Sequence, residues 1–354
     1  MDYIDIYRYI KSIATKVNSK DDIFDLLLKH KCYYLLSLLP LERANKTKLD
    51  MILAMNEISQ KANYLRLGEI FKTMSNENYA VIKGSVFAKK AYLKPNMKSS
   101  LDIDLLIHPS RLKYIKDIFL RNGFVQGYIS RDRIIPYQRE EMVFYVSKSH
   151  QIAPFVATSG NKLSPFVSVD LNFSIIWGEF KDKIDIDYVL SETQTEILYG
   201  QIIKKLSPEM EFIQICLHHY KDLNSIYLIS KNRIKLNLFC DMFFYIINND
   251  LDVEKMIFIS EKLNVSMYIY YCLYYCKQIF MHPKLEELVL KYKPLSYEDL
   301  LDSYGLTESE RKKWVFSFFE RLFLEGFPEK FSETLSYDEK LKIEMNNKFL
   351  SIYT

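Results

Sequence analysis

The run Leu101-Asp102-Ile103-Asp104-Leu105-Leu106-Ile107 sets two carboxylates one residue apart in a stretch that is otherwise apolar. On a β-strand alternate side chains share a face. Asp102 and Asp104 are therefore expected on one face, with Leu101, Ile103 and Leu105 on the other. Two like charges on an apolar strand repel each other and resist desolvation, so they need compensation. A bound divalent cation is the simplest compensation.

The residues before this strand add a second feature. Tyr79-Ala80-Val81-Ile82 reads as a short strand, Lys83-Gly84-Ser85 as a tight turn, and Val86, Phe87, Ala88, Ala91 and Tyr92 as a helix. A glycine at a strand-to-helix turn lets backbone N–H groups approach an anion, and the helix start adds partial positive charge. The Ser85 hydroxyl is a further candidate donor to a phosphate oxygen. Taken alone, a Gly-Ser pair is most often a turn and nothing more.

Beyond the Asp-Ile-Asp run, Pro109-Ser110 opens a helix through Leu112, Ile115, Ile118 and Phe119 that ends at Asn122-Gly123. Phe124 to Ile129 and Glu141 to Ser147 read as two strands, the second alternating through Met142, Phe144 and Val146. Arg131, Arg133 and Arg139 lie between them, in what reads as a solvated loop, and residues 149–165 read as another loop. Val167, Val169, Leu171 and Phe173 then alternate with Ser168, Asp170, Asn172 and Ser174. Asp170 is thus a third carboxylate within an apolar strand.

Both flanks read as helical. Apolar residues recur at three- and four-residue steps from Ile4 to Ile13 and from about Lys48 to Met74, and Ser19, Asp21 and Asp22 stand where a second helix begins. Pro40 interrupts the first flank. After Trp177-Gly178 the chain is expected to be helical to its end, including the stretch through Ile197, Leu198, Ile202, Ile203 and Leu206. The expected organisation is an N-terminal helical region over 1–78, a core over 79–180 and a C-terminal helical domain over 181–354.

Composition narrows the function classes. The chain has 354 residues, 48 Lys and Arg against 45 Asp and Glu, and a net charge of +3. That balance gives no electrostatic case for a nucleic-acid partner. No apolar run approaches the roughly 20 residues needed to span a bilayer, and the first residues do not resemble a secretory signal. Five widely spaced cysteines, Cys32, Cys216, Cys240, Cys272 and Cys276, suit reduced thiols and a cytoplasmic location. Cys272 and Cys276 could share a metal at helical spacing, but two small residues on a buried face is the simpler reading.

Gly84-Ser85 at a strand-helix turn, Asp102 and Asp104 on the next strand and Asp170 on a later one together resemble the nucleotidyltransferase superfamily that shares the DNA polymerase β palm. More narrowly, Lys83-Gly84-Ser85, Tyr92, Pro95 and Asp102-Ile103-Asp104-Leu105-Leu106 resemble a bacterial family of uncharacterised nucleotidyltransferases. Lys98 stands where that family carries arginine, and Asn172 where relatives often carry histidine. Leu217-His218-His219 and Asp241 resemble the family's helical region, although a buried histidine pair and an aspartate bonding neighbouring helices are also ordinary core features.

The resemblance implies an α+β fold, a small mixed sheet like the polymerase palm flanked by N-terminal helices and a C-terminal helical domain. It implies an Mg²⁺-dependent transfer of a nucleoside monophosphate from a nucleoside triphosphate, ATP being the expected one, to a hydroxyl of a small molecule, peptide or protein. Asp102, Asp104 and Asp170 are the implied catalytic residues and metal ligands, and Lys83, Gly84, Ser85 and Lys98 the implied nucleotide-binding residues. The alternative is a catalytically inactive binding module of the same fold that holds a peptide or protein partner, to which Asn172 lends weight.

Overall fold

Strand β1 (Tyr79–Ile82) is an interior strand of the sheet, and its sequence fits that place. All four of its residues are buried, as expected for a strand covered on both faces. β2 (Asp102–Ile107) pairs antiparallel with it, setting Ile82 beside Asp104. The remaining strands of this sheet are β3 (Val125–Ser130), β4 (Arg133–Pro136), β5 (Phe155–Asn161), β6 (Ser164–Asn172), β7 (Thr193–Leu198) and β8 (Gln201–Leu206). They form one mixed sheet in the order β4-β3-β5-β6-β2-β1-β8-β7. The β2–β6 and β1–β8 pairs are parallel and the others antiparallel.

This computed structural model describes residues 3–17, 22–100, 102–178 and 184–350. Leu101, Ser19, Asp21 and the expected boundary at 180/181 lie outside the described residues. Asp22 is described, and its carboxylate caps the helix Ile23–Lys29 by accepting from the Phe24 amide. The α+β class holds: a mixed sheet with helices toward both ends of the chain.

Two compact units are present, one made of Met1–Asp50 and Ile215–Asn346, the other of Met51–Gln214 and Asn347–Thr354. The sheet belongs to the second. There Tyr64, Leu67, Ile70 and Phe71 of the long helix Arg43–Thr73, with Ile115, Ile118 and Phe119 of Leu112–Arg121, cover one sheet face. They meet Tyr79, Val81, Ile103, Leu105, Ile107, Val167, Val169 and Leu171 in a single core cluster. Every alternate residue of β2 and β6 is consumed by that core, which leaves Asp102, Asp104 and Asp170 to the opposite face.

Three expectations are corrected. The stretch 193–206 is not helical but a hairpin, turning at Tyr199 (φ +49°) and Gly200 (φ +78°). Two successive residues with positive φ make the type of turn whose twist matches the flanking strands. Residues Arg139–Lys148 form a helix, not a strand. Gln138 and Glu141 close a capping box at its start, and the apparent alternation is not buried, since Val143 and Val146 are exposed while Tyr145 is buried. The expected loop over 149–165 contains β5, which bends where its register with β6 shifts between Thr158 and Asn161.

A buried ion pair lies at the end of β8. Lys205 Nζ stands 3.3 Å from Glu211 Oε2, both side chains being 2% exposed.

The unit containing Ile215–Asn346 is mainly helical, but Ser303–Tyr304 and Lys312–Lys313 pair there as a short antiparallel ribbon, so the expectation of helix to the end of the chain is corrected here too. All five cysteines are buried and none is in a disulfide. Cys272 and Cys276 point to the backbone oxygens of Cys216 and Phe239, at 3.2 and 3.5 Å, which fits the reading of small residues on a buried face. In the same unit buried His30 accepts the Leu236 amide at its Nδ1 (2.9 Å). Burial first, then the charges of Lys235 and Lys29, push its imidazole down to about 3. A group whose folded pKa is depressed stabilises the fold above its unfolded value and loses that contribution as pH falls. From pH 6.5 downward His30 should therefore destabilise the fold by about 1.4 kcal/mol per pH unit. Chemical denaturation at pH 7, 6 and 5 checks this. The His30→Gln variant should lack that share of the slope, and equal slopes in both proteins would refute it.

Candidate active site

Lys83 follows β1 directly and adopts an uncommon backbone, φ +58° and ψ −155°, before the helix Gly84–Ala91 begins. Gly84 follows at φ +51°. Consecutive left-handed residues at a strand-to-helix turn are costly for a non-glycine, and such strain concentrates at functional sites. A Cβ on Gly84 would lie 2.9 Å from Ser100 Oγ, the atom that donates to the Asp102 carbonyl (2.7 Å). Gly84→Ala is expected to cost about 1–2 kcal/mol of stability, from the positive φ and from this contact. Thermal denaturation reads the loss, and an unchanged midpoint would show that the turn relaxes freely.

The turn delivers the lysine to the carboxylates. Lys83 Nζ donates to Asp104 Oδ1 at 3.0 Å, with the two side chains 12% and 11% exposed. Burial alone would lower the lysine pKa, but the charges of Asp104, Asp102 and Asp170 outweigh it and hold it above its usual value. The parallel β2–β6 register sets Asp104 directly opposite Asp170 and Asp102 opposite Ser168. The three carboxylates therefore share one face of two adjacent strands. Burial, and then the neighbouring charges of Asp102 and Asp104, push the Asp170 carboxyl well above the usual carboxylate range.

Several partners of these carboxylates were not read from the sequence. Gln151 Nε2 donates to Asp170 Oδ2 (2.9 Å). Asn172 is fully buried, and its Nδ2 reaches Asp104 Oδ1 (3.1 Å) and the Asp170 carbonyl (3.3 Å). Its Oδ1 has no hydrogen-bond partner. Tyr145 lies close enough that the Asp170 charge helps raise its phenol above the usual range, after burial.

Ser85 behaves differently from the expectation of a hydroxyl turned to a phosphate. It is buried, and its hydroxyl donates to Tyr64 Oη at 3.2 Å. Lys98 is half-buried, its Nζ 6.0 Å from the centroid of the Phe87 ring and its carbonyl bonded by Gln60 Nε2. Arg131, Arg133 and Arg139 are exposed, but the expected loop is only partly one: Arg131 lies in the turn between β3 and β4, Arg133 opens β4 and Arg139 opens the helix Arg139–Lys148. His219 and Asp241 belong to the other unit, where His219 Nε2 and Asp241 Oδ2 form a buried pair at 3.1 Å. His218 stands 3.7 Å from Asp222 in the same helix.

Among the described residues no group of three or more His, Cys, Asp or Glu side chains is gathered closely enough to hold a metal ion by itself. The donor chemistry nevertheless fits a hard divalent cation. Three carboxylates share a face, their mutual repulsion raises the Asp170 carboxyl, and a buried amide oxygen of Asn172 lacks a partner beside them. Mg²⁺ commonly takes one or two carboxylates and completes its shell with water and substrate phosphate, so a full protein cage is not required.

Comparison with protein families gives one match: the model of a family described as "Uncharacterised nucleotidyltransferase" covers residues 29–281. Among curated proteins nothing matches. The matched span contains the whole eight-stranded sheet and with it Asp102, Asp104 and Asp170.

Proposed function

The chain belongs to this nucleotidyltransferase family, which makes it a transferase, and from that premise we propose that it moves a nucleoside monophosphate from a nucleoside triphosphate, preferentially ATP, to a hydroxyl on a small molecule, peptide or protein. The observation that carries this reading is the register that sets Asp104 beside Asp170, with Asp102 on the same face and Lys83 against them. Asp102, Asp104 and Asp170 are the residues that would hold Mg²⁺. When bound, such cations stabilise charge on the attacking and leaving oxygens of the displacement.

The chain's own residues then divide the work. Asp170, set beside Asp104 on the neighbouring strand, is the residue we assign to accepting the acceptor hydroxyl proton, as a carboxylate whose ionised form a bound cation would favour. Gln151 fixes its orientation from Oδ2. Backbone N–H groups of Gly84 and Ser85, at the first turn of their helix, suit the β- and γ-phosphates. We assign Ser85's hydroxyl to holding the turn through Tyr64 rather than to the phosphate itself. Lys83, and with it Lys98, offsets charge on the departing pyrophosphate. Catalysis of this kind rests on positioning and electrostatics.

No helix among the described residues is long and apolar enough to cross a membrane, and the buried cysteines outside any disulfide support our assignment to the cytoplasm. The test is incubation with Mg²⁺, α-labelled triphosphates and cell extract. Label transferred to an acceptor supports the proposal. Absence of transfer, together with triphosphate binding that is indifferent to Asp102→Asn, would instead favour a binding module.

A further inference from the structure

In the helical unit the end of the helix Ile23–Lys29 meets the start of the helix Leu236–Asn248, where His30 takes the Leu236 amide. Between these helix ends and the segment 322–328 lies a cavity of about 50 Å³, lined by, among others, Lys29, His30, Asn232, Lys235 and Glu325. That volume holds a few waters or one compact tetrahedral ion. Lys29 is exposed and Lys235 half-buried, so neither side chain is sealed inside the protein.

The cavity is electropositive. Its lining carries two lysines against one glutamate, a net charge of +1. Burial, and then the charges of Lys29, Lys31 and Arg233, lower the Lys235 ammonium, so the charges acting on it are all cationic. Cations at the end of Ile23–Lys29 offset the dipole of that helix, but Lys235 is the N-cap of Leu236–Asn248, where a cation is unfavourable and an anion is stabilised. Its side chain makes no capping bond to the first-turn amides. His30 adds a directed donor. Its Nδ1 accepts from Leu236, which places the proton of the neutral imidazole on Nε2. The residue is 3% exposed, yet that N–H has no hydrogen-bond partner and keeps accessible surface. A buried donor open to a positive cavity at a helix start calls for an acceptor that bears negative charge.

We propose that this cavity binds a single phosphate group, as the free ion or on a small molecule, held by Lys29, Lys235, the His30 Nε2–H and the helix start at Leu236. The proposal is independent of the nucleotidyl-transfer reading.

Isothermal titration of the full chain with inorganic phosphate and with glycerol 3-phosphate tests it, at constant ionic strength. EDTA keeps metal-dependent binding at the acidic face out of the measurement. Saturable binding with a Kd of about 1 mM or below is expected for at least one of the two. The tighter of them identifies the source, a free ion or an organic phosphate, and either result supports the site. Lys235→Gln should weaken binding about tenfold, the equivalent of one charge-assisted hydrogen bond, and Lys29→Gln several-fold, while Lys235→Arg should retain it. His30→Phe, which keeps the ring without the N–H, should also weaken it, and the lysine variants carry the test if that protein fails to fold. Lys231 is an exposed cation of the same segment outside the lining, and Lys231→Gln should change the affinity by less than about twofold. Absence of saturable binding at millimolar phosphate, wild-type affinity in both Lys29→Gln and Lys235→Gln, or equal weakening by Lys231→Gln would each overturn it.

Discussion

Replacing Asp104 by asparagine is expected to slow labelled-nucleotide transfer by about a thousandfold, roughly 4 kcal/mol of transition-state stabilisation, and to leave the fold intact. Asparagine keeps the shape of the side chain but not its charge. The loss falls on chemistry because Asp104 has the most central position of the three carboxylates: opposite Asp170 across the strand pair, bonded to Lys83, and reached by Asn172. Two consequences for stability oppose each other. Lys83 loses the carboxylate that offsets its burial, while Asp170 loses a neighbour that raises its pKa. Initial rates measured beside a denaturation curve separate the two kinds of effect. A rate within tenfold of the wild type would remove Asp104 from the reacting machinery.

The largest effect on stability is expected far from any bond-making. Lys205→Met leaves the Glu211 carboxylate buried, its side chain 2% exposed, and takes away the ammonium that faces Oε2. Removing one member of a buried pair typically costs about 3–5 kcal/mol, because the remaining charge is uncompensated. The double variant Lys205→Met/Glu211→Leu should recover most of that loss, since an apolar pair of similar volume can replace a buried ion pair without penalty. The urea midpoint of each variant gives the answer. A loss below about 1 kcal/mol in the single variant would mean that water reaches the pair.

How much of this was legible from residues alone follows from what each signal depends on. The three aspartates were legible because a carboxylate inside an apolar alternation is costly wherever the strand lies, so local sequence suffices. The turn at Lys83-Gly84-Ser85 was legible for the same local reason, and β1 and its following helix fall where the pattern put them. Gln151, Tyr145 and the direction of the Ser85 hydroxyl were not, since each depends on a residue some 20 positions away in the chain: Asp170 for the first two and Tyr64 for the hydroxyl. The hairpin β7–β8 was misread because it lies at the sheet edge, with Ile197 and Ile202 61% and 67% exposed. Its apolar residues Leu198, Ile202 and Leu206 recur at four-residue steps, as they would on one face of a helix. Tyr199-Gly200 was the available signal, a two-residue turn flanked by β-branched residues.

The same distinction bears on Asn172. Viewed as a departure from the histidine common in relatives, it argued for an inactive site. In the fold it bonds Asp104 and leaves a buried amide oxygen beside the carboxylates, a role in holding the acidic face that does not require a titrating group. Asn172 is thus compatible with activity, and the proton acceptor is sought at Asp170.

The central claim is that Asp102, Asp104 and Asp170 together form a metal-nucleotide site. Crystals grown with Mn²⁺ and a non-hydrolysable α,β-methylene triphosphate test it most directly, through the anomalous signal of the metal. The account predicts a peak within coordination distance of carboxylate oxygens from Asp104 and at least one of Asp102 and Asp170, with the triphosphate at the Gly84-Ser85 turn. A nucleotide bound elsewhere, or Lys83 still paired with Asp104 and no metal between the strands, would contradict it.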